Sequence, residues 1–245
     1  MNLRPEERLI VALDVAGFAQ AEAIVDRLRP AVTFFKIGSQ LFTACGPRAV
    51  ELVKKSGGRV FLDLKFHDIP NTVASAVAAA CGLGVDIINL HAAGGFLTME
   101  AAVKAASETC TLGPGSRPLL LGVTVLTSLD DESLVEVMGV KGLTVSQQVL
   151  HLANLSKSAG LDGVVASPQE IAMIRQHLGP EFVILTPGIR AGESSADDQK
   201  RFATPAQAIV AGADFIVVGR PITKAQDPAA AAKAIIEEIG HAVPR

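Results

Sequence analysis

The sequence predicts a single (β/α)8 barrel of the TIM type. Short, β-rich apolar runs alternate strictly with alanine-rich helical stretches, which argues for parallel strands joined by helical crossovers. Eight such pairs fit within 245 residues, the usual size of a closed barrel. No G-x-G-x-x-G turn follows the first apolar run, which disfavours the rival doubly wound sheet.

The expected strands cover 9–14, 33–38, 59–65, 86–91, 119–127, 163–166, 182–186 and 215–219. The expected helices cover 19–28, 40–55, 71–81, 95–107, 144–158, 168–177, 204–211 and 227–239. Pro168, Pro205 and Pro228 stand at helix starts, where a missing N–H costs little. Two connections, 128–142 and 190–202, are long and polar. Both follow strand C-termini, the face where barrels bind ligands, and loops of this kind are often lids rather than inert excursions. No linker or change of composition divides the chain, so 1–245 is read as one domain.

Hydrophobic residues make up 49% of the chain, and mean hydropathy is +0.37. Strands buried on both faces explain these high values. The net charge of −3 gives no basic stripe for nucleic acid. Cys45, Cys81 and Cys110 are odd in number and far apart in sequence, so reduced thiols are expected rather than a disulfide framework. The charged N-terminus lacks the apolar core of a signal peptide, and no apolar run spans a bilayer, so a cytoplasmic location without membrane partners is expected. Trp and Tyr are absent, leaving base recognition to hydrogen bonds and aliphatic contacts.

Side chains alternate along a strand. In Phe61-Leu62-Asp63-Leu64-Lys65, the odd positions share a face. Asp63 and Lys65 are therefore expected to point into the barrel mouth, with Asp68 in the loop beyond. The same logic brings Asp14 to the end of the first strand and Lys36 to the second. One charge at a strand end is ordinarily a solvated terminus. Four of alternating sign on adjacent strands suggest an ionised network, since pairs about 4 Å apart interact by roughly 4 kcal/mol at an effective dielectric near 20.

Strand seven runs into Thr186-Pro187-Gly188-Ile189-Arg190, and strand eight into Val218-Gly219-Arg220-Pro221. Loops after these two strands frequently bind phosphate in barrels. Glycine permits close backbone approach, arginine offers forked hydrogen bonds, and a following helix N-terminus adds positive potential. Either Gly-Arg pair alone would pass for an ordinary turn.

With these motifs, Leu126-Thr127-Ser128 and Asp198-Gln199, the chain resembles the orotidine 5′-monophosphate decarboxylase family over nearly its whole length. The resemblance implies conversion of orotidine 5′-monophosphate to UMP and CO₂, the last step of de novo pyrimidine nucleotide biosynthesis, with no metal or organic cofactor. It implies that Lys65 protonates C6 while Asp63 sits beside the departing carboxylate. Lys36 and Asp14 would bind the ribose hydroxyls. Thr127 and Gln199 would contact the base, and Arg190, Gly219 and Arg220 the phosphate. Asp68 and Thr72 would reach into the other subunit's site, making a homodimer the catalytic unit.

Two rivals stand beside this reading. Related barrels acting on sugar phosphates share the D-x-K-x-x-D core but use Mg²⁺ and are expected to carry an acidic residue where Lys36 stands. A silent nucleotide-binding barrel would need the phosphate loops but not a lysine pressed between carboxylates. His67 and His91 lie in no metal-ligand spacing and read as structural. Met99, Met138 and Met173 read as packing.

Overall fold

The computed structural model describes residues 3–111, 117–139, 141–190 and 203–242. Its strands are β1 (Leu9–Ala12), β2 (Phe34–Gly38), β3 (Arg59–Phe66), β4 (Ile87–His91), β5 (Leu119–Val123), β6 (Gly163–Val165), β7 (Val183–Thr186) and β8 (Phe215–Val218). They pair in sequence order, all parallel, and β8 closes on β1. The helices are α1 (Pro5–Arg8), α2 (Phe18–Leu28), α3 (Ser39–Cys45), α4 (Arg48–Lys55), α5 (Pro70–Gly82), α6 (Phe96–Thr111), α7 (Asp131–Met138), α8 (Val145–Ser158), α9 (Ile171–Leu178), α10 (Pro205–Ala211), α11 (Arg220–Thr223) and α12 (Pro228–Ala242).

Strand alternation divides the core into two layers. Ile10, Phe34, Phe61, Ile87, Leu121, Val183 and Phe215 fill the barrel. Leu9, Val11, Phe35, Ile37, Val60 and Leu62 face outward against the helices. Both layers are buried, which is why the strands read as unbroken apolar runs. Within the barrel Phe34 meets Phe215 edge-on at 5.9 Å, and the Arg59 guanidinium lies 4.3 Å from the Phe34 ring centre.

A sequence device at the strand entrances emerges only with the fold. Gly84-Val85-Asp86, Gly160-Leu161-Asp162 and Gly212-Ala213-Asp214 precede β4, β6 and β8. Each glycine holds a positive φ (69°, 85° and 110°), turning the chain sharply out of the preceding helix. The apolar residue is buried. Each aspartate then accepts the first free N–H of the preceding strand: Val60 at 2.8 Å, Leu120 at 2.7 Å and Ile184 at 2.9 Å. Arg175 secures Asp214 at 2.7 Å, and Arg117 secures Asp162. A backbone donor that would otherwise be buried unpaired is thus satisfied at alternate strands.

The expected helix over 40–55 is two helices. Gly46-Pro47 separates α3 from α4, because proline cannot supply the N–H that a continuous helix needs. The connection 128–142 contains α7. Asp130 caps it by accepting from Ser133 N at 3.0 Å, and Gly139 ends it in the left-handed region. The fifth strand ends at Val123, so Thr127 lies on the following loop. No helix among the described residues is long and apolar enough to cross a membrane.

Candidate active site

Three adjacent strands deliver the charges to the barrel mouth. Lys36 Nζ lies 2.9 Å from Asp14 Oδ1 and 3.1 Å from Asp63 Oδ2. Lys65 Nζ lies 2.6 Å from Asp63 Oδ1. The order Asp14, Lys36, Asp63, Lys65 is therefore one continuous chain of alternating ions. Lys36 and Asp63 are nearly buried, their side chains 12% and 10% exposed, whereas Lys65 opens to the cleft at 37%. Gly38 makes room for this array: a Cβ there would stand 2.9 Å from Lys36 Nζ and 3.2 Å from Asp14 Oδ1.

Burial and charge compete at the two inner groups. Burial raises the Asp63 pKa more than any single neighbour lowers it. The Lys36 and Lys65 charges, with hydrogen bonds from Lys65 and Asn89, together prevail and hold the carboxyl below its ordinary value. Burial likewise pulls the Lys36 ammonium down. The Asp63 and Asp14 carboxylates and their hydrogen bonds outweigh it, leaving the lysine raised. Both groups therefore stay ionised at neutral pH.

Lys65 departs from simple strand geometry. Its φ is 50°, and the β3–β4 register shifts between Leu62 and Phe66. Its N–H is taken by Asn89 Oδ1 at 2.8 Å, while Asn89 Nδ2 donates to Asp63 Oδ1 at 2.7 Å. Sequence reasoning missed Asn89. The available signal was an amide at an inward position of an otherwise apolar strand, Ile87-Ile88-Asn89-Leu90. His91, at the end of the same strand, lies 4.9 Å from the His67 ring, centre to centre. Burial pushes its pKa down, as do His67 and Lys65, against Asp63.

The array lines a cleft of about 980 Å³. Asp14, Lys36, Asp63, Lys65, Thr127, Arg190, Gly219 and Arg220 all line it. Val125, Val165, Leu185 and Val217 supply apolar wall that the sequence did not single out. Elsewhere in its wall, Gly188 (φ 79°) turns the chain after β7, and Arg190 N bonds Ala203 O at 3.0 Å. Gly219 caps α11, its carbonyl accepting from Ile222 N and Thr223 N at 2.9 and 3.0 Å. Asp68 and Thr72 do not line this cleft. They border a smaller neighbouring pocket with His67 and Phe66, and both are exposed. Gln199 lies outside the described residues.

One cleft thus joins a buried ion chain to two Gly-Arg loops, and the sequence matches the orotidine 5′-phosphate decarboxylase / HUMPS family over residues 7–235. The chain belongs to that family. A Moorella thermoacetica relative named orotidine 5′-phosphate decarboxylase is 52% identical over 239 residues, covering 98% of this chain and 94% of its own. A Syntrophotalea carbinolica relative of the same name is 52% identical over 243 residues, covering 99% of each. The crystal structure of orotidine 5′-phosphate decarboxylase from Lactobacillus acidophilus superposes with a TM-score of 0.83 at 38% identity, covering 94% of this chain and 98% of that one. The family's name covers more than one chemistry, so the choice between them rests on the side chains in the cleft. Among the described residues no group of three His, Cys, Asp or Glu side chains is arranged to hold a metal ion.

Proposed function

We propose that this protein decarboxylates orotidine 5′-phosphate to UMP and CO₂, the last step of de novo pyrimidine nucleotide synthesis. The observation that carries the reading is one cleft lined by both the Lys36–Asp63–Lys65 array and Arg190, Gly219 and Arg220. The phosphate docks at the two arginines and the Gly219 turn, which orients the pyrimidine toward Lys65. Thr127 and Gln199 contact the base, while Asp14 and Lys36 hold the ribose hydroxyls.

The bond between C6 and the carboxylate breaks, CO₂ leaves, and the electron pair stays on C6. The Lys65 ammonium gives C6 its proton and is later reprotonated from water. No conjugated electron sink is needed if preorganised positive charge meets the developing carbanion. Asp63 holds the Lys65 ammonium at 2.6 Å and lies beside the leaving carboxylate. Binding at the remote phosphate supports the chemical step by holding the base in register. Asp68 and Thr72, exposed and outside their own cleft, serve the site of a second subunit, so the working unit is a homodimer. We place the enzyme in the cytoplasm.

The metal-dependent sugar-phosphate alternative fits these side chains poorly. Both Asp63 oxygens face ammonium or amide donors, and the Lys36 ammonium stands where a cation would bind. A spectrophotometric assay with orotidine 5′-phosphate, with and without EDTA, decides the matter. Loss of orotidylate absorbance unaffected by EDTA is expected. No turnover, or turnover that EDTA abolishes and Mg²⁺ restores, would overturn the proposal.

A further inference from the structure

We infer that Asn89 is a positioning residue for this reaction, a buried amide on β4 that fixes the Asp63 carboxylate and the Lys65 backbone relative to one another. The inference rests on the decarboxylase reading for its consequence in turnover. Its geometric core stands independently of that reading.

Asn89 is fully buried, and its amide spends one group on each of the two central residues. Nδ2 donates to Asp63 Oδ1 at 2.7 Å, and Oδ1 accepts from Lys65 N at 2.8 Å. Its inward neighbours on the barrel wall, Ile87 and Leu121, are apolar and fully buried. A position that needed only to be filled would favour such a residue, because burying an amide is unfavourable unless its hydrogen bonds are made.

The backbone shows what the amide achieves. At φ 50° Lys65 is the one non-glycine residue among those described with positive φ, a conformation that L side chains adopt at a cost. The β3–β4 pairing slips at this point, between Leu62 and Phe66, and the Asn89 side chain receives the Lys65 N–H. The slip lets Lys65 Nζ fold back to Asp63 Oδ1 at 2.6 Å, the same oxygen that Asn89 holds. Three donors then fix the carboxylate: Lys65, Asn89 and, on Oδ2, Lys36 at 3.1 Å. Two of them are long, flexible lysines. Asn89 is short and strand-borne, and so it sets the carboxylate plane. The charged surroundings of Asp63 are Lys36 on β2, with Asp14 beyond it, Lys65 on β3, and His91 above Asn89 on β4.

The test uses two variants of the full chain and one readout that does not depend on turnover. Asn89→Leu keeps the branching and the number of heavy atoms and removes both hydrogen bonds. We expect kcat to fall by roughly 10²-fold, the scale of a small misplacement of reacting groups, with KM changed by less than about 3-fold because the phosphate loops are untouched. Asn89→Asp keeps an acceptor for Lys65 N but donates to Asp63 only when protonated. Its kcat should therefore rise as pH falls, over a range where the wild type is flat. The carboxyl ¹³C resonance of Asp63 in ligand-free protein should titrate at higher pH in Asn89→Leu than in wild type. Wild-type kcat and pH profile in both variants, or an unmoved Asp63 titration, would overturn the inference. Should the wild type leave orotidine 5′-phosphate unconverted, the decarboxylase reading fails, and the carbon titration still decides whether Asn89 governs Asp63. If Asn89→Leu does not fold, the pH profile of Asn89→Asp and the Asp63 titration in that variant decide.

Discussion

Lys65 Nζ and Asp63 Oδ1 meet at 2.6 Å although their residues are two apart on one strand. Neighbours at this spacing ordinarily stand side by side, each perpendicular to the sheet. Here the positive φ of Lys65 bends the lysine back over the carboxylate. A proton donor and the carboxylate that holds it thus come from within three consecutive residues, and the second strand, through Lys36, meets the other carboxylate oxygen.

Removing the proton donor should separate chemistry from binding. Lys65→Ala is expected to lower kcat by at least about 10³-fold, since it removes both a general acid and a preorganised charge. UMP binding, followed by calorimetry, should persist because Arg190 and Arg220, which follow β7 and β8 in the same cleft, are untouched. Turnover close to wild type in this variant would remove Lys65 from its role.

Mixed subunits test the shared site. Asp68→Ala and Lys65→Ala proteins, each inactive alone, should form hybrid dimers in which one site receives both native residues. Recovered activity in purified hybrids, measured against each parent, is the expected result. Silent hybrids would confine Asp68 to its own subunit.

Gly38→Ala should harm turnover more than stability. The added Cβ would press on Lys36 Nζ from 2.9 Å, and that atom is the far end of a flexible side chain, so it shifts within the ion chain that holds it. We expect a kcat/KM loss of roughly 10-fold with a melting temperature within about 2 °C of wild type. A large thermal destabilisation with intact kcat/KM would show that the glycine serves the fold instead.

The ion chain should hold across the neutral range. Asp63 is depressed in the folded state. Its stabilising contribution is therefore complete above the unfolded carboxylate value of about 3.9 and is lost only as pH falls through the lower folded value. Lys36 is raised. Its contribution is complete below about 10.4 and is lost as pH rises through the higher folded value. The melting-temperature difference between wild type and Lys36→Met should stay level from pH 5 to about 9. A difference that drifts steadily through this window would mean that Asp63 or Lys36 titrates within it in wild type, or Asp63 in the variant that lacks the Lys36 charge.

Asp214→Ala probes the strand entrances. It strips the Ile184 N–H and the Arg175 guanidinium of a shared carboxylate. A loss of roughly 2–3 kcal/mol is expected in denaturant unfolding, the cost of a buried donor and a partly buried charge left unpaired, with kcat unchanged because the site lies at the opposite end of the barrel.

Much of this protein is legible in one dimension. Eight apolar runs fix eight strands, because a strand buried on both faces has no polar positions to hide it. Period-two alternation alone sends Lys36 and Asp63 inward, and the Gly-Arg pairs mark two further loops of the same cleft. The short helix α7 escaped notice, since one turn of polar cap at Asp130 and a few apolar residues look like loop.

Tertiary structure decided the rest. The sequence specified which charges reach the barrel mouth, because side-chain direction along a strand is a local property. It could not specify that Lys65 turns back onto Asp63 or that Asn89 holds both. Both accompany a register shift between β3 and β4, and register is an agreement between two strands that neither carries alone.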